Sequence, residues 1–162
     1  MSELIKVGMA EVKPCVSPDR ITTLGLGSCV GIAIRDPMTG VGGLAHIMLP
    51  DSTALRNAGS NMAKFADTGI DLLLKQMEAM GARRNRMEAK IAGGAMMFKF
   101  KAESECMNVG ARNVEAVRKK LGELNIPILA ADTGENFGRT VIYEPQTGAY
   151  IIRAVGKPEK TI

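Results

Sequence analysis

At 162 residues, with 46% apolar and 23% charged side chains, the chain can close one core as a single domain over residues 1–162 without disulfide staples. A net charge of +4 gathers partly at Arg83, Arg84 and Arg86 and at Arg118–Lys120, with no aromatics interleaved; this argues for a solvated basic face and against a nucleic-acid platform. No apolar run reaches membrane-spanning length, the start (MSELIKVGMAEVK) lacks a signal-peptide stretch, and Cys15, Cys29 and Cys106 form no CxxC pair, so a cytoplasmic protein without disulfide framework, zinc site or membrane insertion is expected.

In chain order, a short strand is predicted near Val7 to Lys13, followed by a proline-containing break from Pro14 to Pro18. Ile21 to Leu26 is β-branched and apolar, which predicts a buried strand. Gly25, Gly27 and Ser28 make a bend into a second strand, Cys29 to Asp36. The tetrad Pro37-Met38-Thr39-Gly40 has turn chemistry, and Val41 to Met48 returns as the other arm of a hairpin. From Asn61 to Met80 apolar residues recur every three or four positions, predicting an amphipathic helix stopped by Gly81. Glu88 to Gly93 reads as a strand, and Val109 to Leu124 as a second helix with Asn108 as its N-cap. Strands near Ile128 to Ala131, Thr140 to Glu144 and Tyr150 to Val155 follow, the last two joined by Pro145 to Gly148. Phe98 to Glu105 is charged and unpatterned, hence an exposed loop, and Cys106 beyond it reads as structural. With 11 methionines and 4% aromatics, methionine is expected as flexible filler of the core rather than as a binding surface. Many strands and few helices predict an α+β fold, a mixed or largely antiparallel sheet system with helices packed outside.

The hairpin makes a geometric claim about chemistry. If Asp36 pairs with Val41, Cys29 falls opposite Met48 and His46 opposite Gly31. Side chains alternate faces along a strand, so Cys29 and His46 share one face as diagonal neighbours, their Cα atoms about 7–8 Å apart. Gly31 and Ala33 beside them are small and would leave that face open to a substrate. A thiol beside an imidazole is the minimal equipment of a cysteine hydrolase: an imidazolium stabilises the thiolate, and the same ring can protonate a leaving amine. The glycine bend would offer backbone N–H groups to a developing oxyanion. Against this stands the ordinary reading, in which Cys29 is a structural strand residue and His46 a satisfied one. Gly25-Leu26-Gly27 is no nucleotide loop, because Gly31 comes one residue late for GxGxxG and a strand follows. Geometry alone leaves the substrate open.

The stretches Thr23 to Val30 (TLGLGSCV) and Gly43 to Pro50 (GLAHIMLP) resemble the chemoreceptor glutamine deamidase family, CheD. Lys64 to Asp67, Ala89 to Ala95, Asn108 to Val114 and Asp132 to Gly134 continue the similarity in order, from about Val7 to Val155. The resemblance implies a β-sandwich with flanking helices like that of deamidating bacterial toxins. It implies Cys29 as nucleophile, His46 as general acid–base and Thr23 as the group orienting the imidazole, with adjacent Thr22 as an oppositely facing rival. No metal or organic cofactor is implied. The implied activity is deamidation of glutamines in methyl-accepting chemoreceptor cytoplasmic helices through a thioester, with weak methylesterase activity alongside. The implied partner is a CheC-type phosphatase, which leaves a non-catalytic adaptor as the alternative role. One departure stands out: Glu135 replaces a second glycine common after Asp-x-Gly in the family, which bears on a loop or partner surface.

Overall fold

A computed structural model describes residues 2–52, 61–97 and 108–162. The predicted loop at Phe98 to Glu105 and Cys106 lie outside these. The described strands form two five-stranded sheets. The first runs β1 (Leu4–Val7), β3 (Arg20–Leu26), β8 (Arg139–Glu144), β9 (Ala149–Arg153) and β10 (Lys160–Thr161). The second runs β2 (Glu11–Val16), β5 (Val41–Ile47), β4 (Val30–Asp36), β6 (Glu88–Gly93) and β7 (Ile128–Thr133). Only β1–β3 and β6–β7 pair in parallel; the other described pairs are antiparallel. The helices α1 (Ala66–Ala79) and α2 (Val109–Glu123) cover one face of the second sheet, as an α+β sandwich requires.

Alternation along β4 builds both interfaces. Val30, Ile32 and Ile34 join the cluster under the helices, with Ile70, Leu73, Leu74 and Met77 of α1 and Val117 and Leu121 of α2. Each such fully buried side chain contributes roughly 1.5–3 kcal/mol of transfer free energy. On the opposite face of β4, Ala33 joins a second cluster between the two sheets, with Leu26, Leu44, Tyr143 and Tyr150. Helix α2 starts where predicted, its Asn108 side chain accepting the Ala111 N–H at 3.1 Å. The two four-residue hairpin loops close on glycines at φ +75° (Gly40) and +81° (Gly148), a conformation that a Cβ disfavours.

Five expectations need correction. The strand predicted near Val7 to Lys13 is two strands, β1 and β2, placed in different sheets. No break occurs at Pro14, which sits opposite Gly43 within β2; β2 is an edge strand, where a missing N–H costs no ladder bond. The helix predicted from Asn61 begins as a 3-10 turn (Met62–Lys64) capped by Asn61, and becomes α-helical only at Ala66. Methionine is not chiefly core filler: Met77 and Met87 are buried, whereas Met9, Met38, Met62, Met80, Met96 and Met97 are exposed. The basic clusters are also less free than predicted. Arg86 binds the buried Asp36 carboxylate at 2.8 Å, Arg84 meets Glu78 at 3.2 Å, and Lys120 joins α2 to Asp71 of α1 at 3.0 Å.

Candidate active site

The hairpin register is the predicted one, with Asp36 opposite Val41 and Gly31 opposite His46. The ladder stops at Val30–Ile47, so Cys29 lies just before β4, in the bend through which the chain leaves β3 of one sheet and enters β4 of the other. That crossover puts Cys29 at one end of the sandwich, in the cluster between the sheets. His46 faces the same interior, because Thr23 reaches it from β3 of the opposing sheet: Thr23 Oγ1 lies 2.6 Å from His46 Nδ1. Thr23 and His46 therefore meet across the two sheets, and Cys29 lies in the same intersheet space with no hydrogen bond between its thiol and the ring. Thr22 points elsewhere, its hydroxyl donating to the Val141 carbonyl at 2.6 Å.

Proton bookkeeping assigns the tautomer. Thr23 Oγ1 is 2.7 Å from the Val7 carbonyl, which can only accept, so the single hydroxyl proton points there. The oxygen then offers a lone pair to His46, and Nδ1 must carry the ring proton. His46 Nε2 is left as a lone-pair base, buried and without a partner among the described residues. An imidazole held by one nitrogen with the other unpaired is equipped to take a proton from a neighbouring thiol.

The electrostatics differ from the expected ion pair. Burial lowers the His46 pKa to about 4, so the ring is neutral near pH 7. Burial likewise raises the Cys29 thiol, and its own backbone N–H is the one opposing influence. At rest the pair is thiol and neutral imidazole. No imidazolium stands ready to hold a thiolate, and the proton must move as the substrate is attacked.

The predicted open face is also absent. Gly31 and Ala33 are fully covered by the opposing sheet; a Cβ on Gly31 would lie 2.7 Å from the Tyr150 hydroxyl, which itself donates to the Gly31 carbonyl at 2.9 Å. Gly31 is small because β9 packs on it. Access is confined to the sandwich end, where Cys29 retains 7% exposure and His46 1%. Within the glycine bend, the Gly27 N–H is spent on the Gly25 carbonyl at 3.1 Å. The N–H groups of Ser28 and Cys29 have no backbone acceptor among the described residues.

The bend is held by β6 and its continuation. Gly94 N–H donates to the Cys29 carbonyl at 2.8 Å and Ala95 N–H to that of Gly27 at 2.9 Å. Met96 N–H donates to the Glu135 carbonyl at 2.9 Å, so the loop carrying Glu135 is distant in sequence but near the Cys29 bend in space. Gly94, Met96, Val114 and Glu135 help to wall a cavity of about 510 Å³ at this end. Glu135 has φ +62°, a left-handed conformation that explains why glycine suits the position.

Asn113 escaped the residue-level reading. It is fully buried on α2 and donates both amide protons, to Ser28 O and Met48 O at 2.9 Å each. A signal was present: positions 110, 113, 117 and 121 form the inward stripe of α2, and an asparagine there breaks an apolar pattern.

Comparison with known proteins bears on the family of the chain. Residues 48–154 match the family profile described as "CheD chemotactic sensory transduction". The chain belongs to the CheD family. Among its relatives, "Chemoreceptor glutamine deamidase CheD" of Halalkalibacterium halodurans is 51% identical over 162 residues, all of both chains. "Probable chemoreceptor glutamine deamidase CheD" of Lachnoclostridium phytofermentans is 55% identical over the same span. The profile match begins after His46, so the roles given to Cys29, His46 and Thr23 rest on their geometry and motif.

Proposed function

We propose that this CheD-family chain is a chemoreceptor glutamine deamidase, acting in the cytoplasm with Cys29 as nucleophile, His46 as general base and acid, and Thr23 as the group that orients the ring. The observation that carries the reading is the Val7–Thr23–His46 chain of hydrogen bonds, which leaves Nε2 unpartnered at the sandwich end that also holds Cys29.

As Cys29 Sγ bonds to the side-chain amide carbon of a glutamine, Nε2 takes the thiol proton. The resulting imidazolium is stabilised through Nδ1–H and Thr23. His46 then returns that proton to the departing nitrogen, the C–N bond breaks, ammonia leaves, and a glutamyl thioester remains. Water, deprotonated by the same Nε2, attacks the thioester; the C–S bond breaks and the proton returns to sulfur. Glutamine and water have become glutamate and ammonia, with no redox change and no need of a cofactor. A glutamate methyl ester presents the same carbonyl with a better leaving group, which makes weak esterase activity a natural companion.

Incubation of a receptor cytoplasmic domain with the native chain should add about 1 Da per modified glutamine, read by mass spectrometry. Unchanged masses would sink the proposal. Binding of a CheC-type phosphatase is a second proposed role, and Cys29→Ala separates the two. That variant should lose ammonia release and still bind the phosphatase if both roles exist; undiminished ammonia release would sink the reading of Cys29 as the nucleophile.

A further inference from the structure

We propose that Asn113 is a positioning residue for this reaction, a clamp on α2 that sets the separation of Cys29 and His46. Its two amide protons go to Ser28 O, one residue before Cys29, and to Met48 O, two residues after His46. These carbonyls belong to different arms of the hairpin, beyond the point at Val30–Ile47 where the β-ladder ends. Beyond that rung each arm is tied to a different neighbour, the Cys29 carbonyl to Gly94 N–H and the Met48 N–H to the Lys64 carbonyl, while Cys29 lies one residue past the rung and His46 one residue inside it. Asn113 replaces the missing rung. Both of its partners are carbonyls, so the nitrogen must face them, while Oδ1 has no partner among the described residues. The amide is therefore oriented by its donors alone, an arrangement that a residue kept only to fill space would not need.

The helix is built to reach this far. Gly110, one turn before Asn113 on the same face, meets the Gly94–Ala95 corner where a Cβ would lie 2.6 Å from the Gly94 carbonyl and closer still to that of Ala95. Gly94 itself has φ +67° and carries the N–H that holds the Cys29 carbonyl. Close approach of α2 at Gly110 thus brings Asn113 within reach of both carbonyls and ties the helix to the nucleophile's backbone.

This inference rests on the Cys29–His46 reading, and the test separates the two. The full chain is assayed for ammonia release from a receptor cytoplasmic domain, with kcat and KM resolved, and for the rate of Cys29 alkylation by iodoacetamide. Asn113→Leu keeps the number and branching of side-chain heavy atoms and removes both donors. The expected result is a fall in kcat of about 30- to 100-fold with KM within about twofold, since small misplacements of reacting groups cost on this scale. Cys29 alkylation should change by several-fold in the same variant. Asn113→Ser, which keeps one donor, should fall between wild type and Leu, and it decides the question if the Leu variant does not fold. A folded Asn113→Leu, or Asn113→Ser in its place, with wild-type kcat would overturn the clamp. Full ammonia release by Cys29→Ala would instead overturn the reading on which it rests.

Discussion

Cys15 and Cys29 lie in the same cluster between the sheets, 3% and 7% exposed, yet their surroundings give them opposite prospects. Cys15 sits within a ladder, opposite Gly42 on β5. Burial and the Asp19 carboxylate raise its pKa to about 12, and the single histidine of the chain is hydrogen-bonded to Thr23 instead. Cys29 sits where a strand has not yet begun, at the crossover between sheets. Burial raises its thiol too, but its own N–H opposes the shift, and an imidazole held in one tautomer occupies the same end of the sandwich. The two thiols differ less in burial than in position: a ladder residue has its backbone committed, whereas a residue at a sheet-to-sheet bend keeps its N–H outside the ladder.

The largest expected effect separates the two thiols directly. Cys29→Ala should lower deamidation by more than about 10³-fold, whereas Cys15→Ala should leave it within about twofold, as measured by ammonia release. Equal losses would erase the distinction between the two ends.

The second effect is on stability. A buried histidine whose folded pKa lies below its unfolded value of about 6.5 binds its proton more readily when unfolded. Stability should therefore fall as pH drops from about 6.5 to about 4, by roughly 3 kcal/mol, and be unaffected by His46 above that window. At the Cys15 end the sign is the same but the window lower. Asp36, held down to about 2 chiefly by Arg86, loses its contribution between about pH 4 and 2, worth about 1–2 kcal/mol because Arg86 meets solvent. Urea titrations of wild type and His46→Gln across pH 3–8 should show the upper window vanish only in the variant.

A smaller effect tests the tautomer. Thr23→Val removes the acceptor for Nδ1–H and should lower kcat by about 10- to 100-fold, while Thr23→Ser restores most of it. A Val variant with native kcat would mean that the ring holds its orientation without the hydroxyl.

The smallest effect contrasts the loops. The hairpins near Cys15 place glycine at their left-handed positions, Gly40 and Gly148, whereas the Cys29 end places Glu135 at φ +62°. Glu135→Gly should raise stability by up to about 1 kcal/mol, the relieved strain being partly offset by greater chain entropy in the unfolded state. Thermal unfolding would detect this as a modest rise in Tm; a fall would show that the Glu135 side chain makes compensating contacts.

The hairpin, its register, both helices and the N-cap at Asn108 were legible in the sequence because each depends on short-range rules: period two or 3.6, turn chemistry at Pro37 to Gly40, and capping. That register already placed His46 opposite Gly31. The split of Val7 to Lys13 into strands of different sheets was not legible, because sheet membership is decided by partners far along the chain. For the same reason Gly31 and Ala33 read as an open face, although Tyr150, more than a hundred residues later, covers it.

Local pattern by itself therefore determined which residues form the two arms and that one thiol and one imidazole share a face. Only the tertiary structure decided what those groups can do. Packing one sheet on the other buried both in a medium that favours their neutral forms, brought Thr23 across to assign the ring's proton, and carried Asn113 from a distant helix to the end of the ladder. Desolvation and long-range hydrogen bonds set those properties, and neither has a period that a sequence displays.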